Sequence, residues 1–180
     1  TSEALQAGIT PKTFYTLRDR GVTVCLSRGL YKLADTPSLT NYDLFLIGKK
    51  INKGVICLIS ALAFYELTLQ IPHEVYVALP KGTEEPRLDY PPVRTFRFSS
   101  ISYKEGIESY ILDGEKIHIY SREKTIADCF KFRNKTGLDT AIEALRLYKA
   151  QRNIDIKALM HYASVCRITK VIKPYLESIL

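Results

Sequence analysis

Thr10-Pro-Lys-Thr-Phe-Tyr-Thr-Leu-Arg-Asp-Arg20, then Gly21, then Val22-Thr-Val-Cys-Leu26, Ser27-Arg28-Gly29 and Leu30-Tyr-Lys-Leu33: this stretch decides how the chain begins. Thr10 is a helix N-cap, and Pro11 follows at the first helical position, where its missing N–H costs nothing. The helix is expected to run to about Arg20, where Gly21 supplies the stop. Two apolar-rich runs then flank a Gly-containing turn, the pattern of a β-hairpin. Before Thr10, the sequence Ser-Glu-Ala-Leu-Gln-Ala (2–7) reads as a short helix capped by Ser2 and ended by Gly8. Two short helices across a tight turn, followed by a hairpin, are the element order of a winged helix-turn-helix.

In that order the second helix is the one that enters a major groove. Ile9, Phe14 and Leu17 fall on its inner side at helical spacing. Lys12, Thr13, Tyr15 and Thr16 fall on or near the outer side, with side chains of the kinds that reach base edges or phosphates. Arg18 and Arg20 lie at the far end and suit backbone phosphates. Arg28 at the hairpin tip, with Lys32 beside it, places cations where wings commonly meet a neighbouring groove.

Residues 35–38, with Pro37 against helix continuation, read as a linker. The expected domains are therefore residues 1–35, a winged helix-turn-helix whose usual first helix is missing, and residues 36–180. The second part is expected as a mixed α/β domain ending in helices, so the fold class is α+β. Its elements are a helix over 41–52, a buried strand over 55–59, and a helix capped by Ser60 through about 67. Strands follow over 73–79 and 93–98, then a hairpin over 106–112 and 116–120 around Asp113-Gly114. Helices complete the chain: one from Ser121 to about 132, an amphipathic one over 138–150, one capped by Asp155, and one over 168–180 that Pro174 can kink.

Charge separates the parts. The net +7 divides into +2 for residues 1–35, −1 for 36–120 and +6 for 121–180. A basic chain favours anionic partners, nucleic acid foremost. No apolar run approaches the length of a bilayer span, and residues 1–20 lack the apolar core of a secretory signal, so the expected setting is the cytoplasm without membrane contact. Cys25, Cys57, Cys129 and Cys166 stand singly in apolar surroundings with no paired spacing, and are read as buried small hydrophobes.

Residues that could carry chemistry do not assemble in the sequence. A metal-dependent nuclease wants an Asp and, on a nearby strand, Glu/Asp-x-Lys. Asp113-Gly-Glu115-Lys116 lacks the spacing residue and lies on a turn. His73, His118 and His161 share no ligand spacing. Ser121-x-x-Lys124 has the form of a serine–lysine pair, but Ser121 reads first as an N-cap with Glu123 near the positive end of the helix. No catalytic, metal or cofactor residues are therefore assigned.

The segment Gly-Ile-Thr-Pro-Lys-Thr-Phe-Tyr-Thr-Leu-Arg-Asp-Arg-Gly (8–21), with the wing Arg28-Gly29-Leu30-Tyr31-Lys32-Leu33, resembles the N-terminal domain of AbiEi-type antitoxins of type IV abortive-infection systems. Ile59-Ser-Ala-Leu-Ala63 is similar to that family's S-x-L-A helix start. Residues 117–128 (IHIYSREKTIAD) resemble its strand followed by S-x-E-[KR]-T-[IL]-x-D. The resemblance covers nearly the whole chain. It implies two roles: autorepression of the operon through double-stranded DNA, at inverted repeats in its own promoter, and neutralisation of a nucleotidyltransferase-like toxin by the C-terminal domain, with or without direct contact. Lys131, Arg133 and Lys135 in the basic helical part are the residues on which the antitoxic surface is placed. The competing readings are a DNA-associated nuclease or other phage-defence enzyme, a winged-helix regulator unconnected with a toxin, and a protein-interaction module.

Overall fold

The computed structural model describes residues 2–27, 30–34, 42–112 and 114–179; the linker at 35–38, the hairpin tip Arg28-Gly29 and Asp113 lie outside the described residues. The chain is mixed α+β, with ten helices and two sheets among the described residues. It divides into two units, Thr1–Thr40 with Arg87–Tyr90, and Asn41–Pro86 with Pro91–Leu180.

The first unit contains α1 (Ser2–Gln6), α2 (Pro11–Asp19), β1 (Thr23–Ser27) and β2 (Leu30–Leu33). Gly8, at φ +91°, ends α1, and its N–H donates to the Leu5 carbonyl at 3.1 Å. A left-handed residue after the last turn is the conformation that glycine adopts without steric cost. The strands pair antiparallel, with Thr23 opposite Leu33 and Cys25 opposite Tyr31.

The second unit is built on a five-stranded sheet in the order β5-β4-β3-β7-β6. Its strands are β3 (Val55–Ile56), β4 (Val75–Pro80), β5 (Val93–Phe98), β6 (Ile107–Leu112) and β7 (Glu115–Tyr120). β4–β5 and β3–β7 run parallel, whereas β3–β4 and β6–β7 run antiparallel. Alternation sends Cys57, Tyr76, Ala78, Phe96, Phe98 and Tyr120 into one core. The helices over that core are α4 (Leu58–Phe64), α6 (Arg122–Lys131), α8 (Leu138–Ala150), α9 (Ile156–Val165) and α10 (Thr169–Ile179), with the short α7 (Arg133–Thr136) leading into α8. Ile56, Val77, Ile117 and Ile119 point the other way and are also buried. There α3 (Tyr42–Lys50) lies on β7, and it comes so close that a Cβ added at Gly48 would stand 2.5 Å from Ile117 Cγ2.

Three local expectations are corrected, and one further element is found. β3 has two residues, because the chain turns into α4 directly after Cys57. Ser60 is therefore inside α4 and does not cap it: its hydroxyl accepts the Tyr76 N–H at 2.9 Å and ties helix to sheet. A short helix, α5 (Ser100–Lys104), occupies a stretch without an apolar period. Cys25 is exposed, since the small hairpin gives its strands too little cover, whereas Cys57, Cys129 and Cys166 are buried. The N-caps at Ser121 and Asp155 are as expected, accepting from Lys124 N at 3.2 Å and Ala158 N at 2.8 Å.

One ion pair lies at the centre of the second unit. Lys124 and Asp128, one turn apart on α6, bond to each other with both side chains fully buried. The ammonium stands 4.2 Å from the Tyr120 ring centroid and 5.0 Å from that of Phe98. Asp128 also accepts from Cys166 Sγ at 3.2 Å. Burial pushes the Asp128 carboxyl above its ordinary value, and Lys124 opposes that push only in part. Removing one member strands the other as a buried charge, whereas removing both does not. Lys124→Met is therefore expected to lower unfolding free energy in urea by about 3–5 kcal/mol. Lys124→Met with Asp128→Asn should recover a clear part of that loss. Equal loss in the single and double variants would show that the charge pair is not the cause.

Candidate nucleic-acid interface

The outer face of α2 is set from its first residue. Thr10 Oγ1 accepts the Thr13 N–H at 3.2 Å, and the Thr10 carbonyl accepts the Phe14 N–H at 2.9 Å. Phe14 is buried and meets Tyr31 edge to face, with centroids 4.8 Å apart and planes at 88°. That contact joins the helix to β2 and turns the residues opposite Phe14 outward. Lys12, Thr16 and Arg20 are spaced by four along one exposed stripe, with Thr13 and Tyr15 on its flanks, also exposed.

The groups on this face are not equally available. The Thr16 hydroxyl donates to the Lys12 carbonyl at 2.9 Å, and the Thr13 hydroxyl lies 2.8 Å from that of Thr10, so both rest on their own helix. Arg18 donates through Nε and an Nη to Asp19 at 2.9 and 2.8 Å, and its guanidinium lies 5.0 Å from the Tyr15 centroid. The bond to Asp19 holds the guanidinium pKa above its ordinary value and shares its charge. Sequence reading gave Arg18 the same standing as Arg20; the adjacent Asp19 was the signal that the two differ. Arg28 lies outside the described residues, and of Lys32 the backbone pairing to Val24 is described.

Lys131, Arg133 and Lys135 are brought together in the second unit, but around an aromatic row and a helix end. Lys131 Nζ donates to Ser102 Oγ at 3.4 Å and lies 5.9 Å from the Phe98 and Phe132 centroids. Lys135 Nζ lies 5.6 Å from Phe96. An Arg133 Nη donates to the Phe130 carbonyl at 2.9 Å, which satisfies an acceptor at the end of α6. Arg94 joins them from β5, with its guanidinium 5.8 Å from Phe96 and an ion pair to Glu74 at 3.3 Å. Sequence reading missed Arg94, because only the folded chain brings a residue of β5 and one of α7 to the same ring, Phe96.

Residues weighed for catalysis are dispersed or sealed. The Lys124 ammonium turns to Asp128, and Ser121 Oγ accepts the Lys124 backbone N–H, so among the described residues no serine–lysine side-chain pair forms. His118 Nδ1 lies 3.1 Å from Ser109 Oγ, and His161 lies 3.4 Å from Glu105. Desolvation pushes the Cys57 thiol well above its ordinary value and the Cys166 thiol up to about 12. Among the described residues no three His, Cys, Asp or Glu side chains are grouped to hold a metal, and no helix is long and apolar enough to cross a membrane.

The chain matches no protein-family model, and no curated protein matches it.

The cap is the most direct handle on the α2 face. Thr10→Ala is expected to weaken α2 by about 1 kcal/mol, read as faster amide exchange over Thr13–Leu17. Lys12→Ala, which removes no packing, should leave those rates near wild type. Equal acceleration in both would detach the face from its cap.

Proposed function

We propose that the chain is a DNA-binding antitoxin and transcriptional autorepressor of a type IV, AbiEi-like system. On this reading, residues 1–35 are a winged helix-turn-helix. α2 enters the major groove, with Lys12, Thr13, Tyr15 and Thr16 toward base edges and Arg20, Arg28 and Lys32 toward phosphates. Arg18 stacks on Tyr15 and steadies that ring. The observation that carries the reading is the exposed Lys12–Thr16–Arg20 stripe on a capped helix anchored from behind by Phe14 and Tyr31. The order helix–turn–helix–hairpin in one unit supports it. So does the sequence resemblance in both halves of the chain.

Replacing Lys12, Tyr15 and Thr16 together by Ala in the full chain should abolish retardation of its own promoter fragment in a gel-shift assay. Arg20→Ala should instead weaken specific and random duplex alike, and reduce the salt slope by about one unit. Undiminished promoter binding by the triple variant would move the DNA contact away from α2.

The antitoxic role is placed in residues 36–180, where the +6 excess of the last sixty residues favours an anionic partner surface. Of the three residues named there, Lys135 is exposed, whereas Lys131 and Arg133 also make the contacts that close α6. The triple α2 variant should therefore still restore growth when co-expressed with a nucleotidyltransferase-like toxin. Lys135→Glu should weaken rescue without changing the circular dichroism. Loss of rescue by the α2 variant, with its fold intact, would remove the division of labour.

A further inference from the structure

β6 is an edge strand: it pairs with β7 on one side, and among the described residues no backbone group bonds its other side. The direction of its free groups follows from one bond. Ser121 N donates to Gly106 O at 2.7 Å, next to the pair Ile107–Tyr120. In an antiparallel ladder, N–H and C=O of one residue point the same way and alternate along the strand. Even-numbered residues of β6 thus bond β7, and Ile107, Ser109 and Ile111 offer their N–H and C=O outward. Ile107 is 36% exposed and Ile111 77%, on the same face of the sheet, which is the Tyr120 face.

We infer that this edge pairs with β6 of a second copy of the chain, antiparallel about a two-fold axis through Ser109, to make one continuous sheet across the dimer. The occupant is argued from self-complementarity. With Ser109 opposite its symmetry mate, Ile107 of each copy faces Ile111 of the other, so the dimer forms two isoleucine pairs and every exposed isoleucine of the strand has a partner. Glu108 of each copy faces Tyr110 of the other, so no carboxylate stands directly opposite a carboxylate, and each Glu108 keeps the hydrogen bond its own Tyr110 donates at 2.6 Å. The outward groups of three residues per copy supply about six main-chain hydrogen bonds.

Neighbouring registers are worse. Sliding two residues one way sets Glu108 against Glu108, a like-charge pair that disfavours association. Sliding two the other way sets Ile111 against Ser109 and Glu108 against Leu112. A one-residue slip puts apolar side chains on opposite faces. A two-fold dimer is also the commonest closed assembly, and it leaves no edge open to a further copy at this strand. The dimer does not depend on the DNA reading, although a symmetric pair would present two copies of α2, as inverted repeats require.

The test uses the full chain without DNA. Sedimentation equilibrium from low to high micromolar concentration should show a monomer–dimer equilibrium. Ile111→Lys, at an exposed position that leaves the circular dichroism unchanged, should raise the dimer dissociation constant about tenfold or more. In a Cys25→Ser background, Ser109→Cys should form an intermolecular disulfide under mild oxidation. Opposed Cα atoms in such a pair stand about 5.5 Å apart, within disulfide range. A chain monomeric at every concentration overturns the inference. So does a dimer indifferent to Ile111→Lys, or one that Ser109→Cys does not cross-link.

Discussion

Lys124 and Asp128 carry opposite charges where no water reaches, and the second unit is arranged around keeping them together. An ammonium away from water demands a carboxylate, hydrogen-bond acceptors or aromatic faces. Here it receives Asp128 within its own helix, the Tyr120 ring from β7 and the Phe98 ring from β5. The carboxylate receives Cys166 from the end of α9 as well. Two strands and two helices thus have their places set by one pair, because each supplies a group whose removal would leave a buried charge partly unmet.

The same requirement explains Gly106. It sits at φ +75°, where only glycine is unstrained, and a Cβ there would come within 2.8 Å of Lys124 Cβ and 3.1 Å of Tyr162 Cζ. The chain must pass this close for the Gly106 carbonyl to accept the Ser121 N–H, which starts the β6–β7 ladder at the point where Ser121 caps α6. Tyr120 closes the arrangement by donating its hydroxyl to the Tyr103 carbonyl at 2.8 Å, and so holds α5 to the same place. The edge strand β6 is consequently fixed at its first residue by the buried pair, while its outer side is left for another chain.

The basic groups of the two units do different work for a physical reason. On α2 the underlying unit is small, Phe14 is its buried anchor, and the cations Lys12 and Arg20 are exposed to water. Over the larger core there is enough aromatic surface at the sheet margin for Lys131, Lys135 and Arg94 to lie across Phe96, Phe98 and Phe132. Their charged ends lie within about 6 Å of the ring centroids, so the rings attract them. A count of charges cannot distinguish a cation that projects from one that covers a ring.

Local chemistry was legible where a residue acts on its own neighbours. Thr10, Ser121 and Asp155 announce their helices, because a cap bonds an N–H a few residues away whatever the rest of the chain does. The span Leu138–Ala150 and the two hairpin pairings follow in the same way from short-range period and turn residues. Tertiary structure decided the rest. It took Ser60 from a cap to a tie with Tyr76, made an ion pair of a lysine and an aspartate that could have been solvated, and brought Arg94 and Lys135 to the same Phe96 ring. Those outcomes depend on which surfaces are closed to water, and only the assembled sheet and helices determine that.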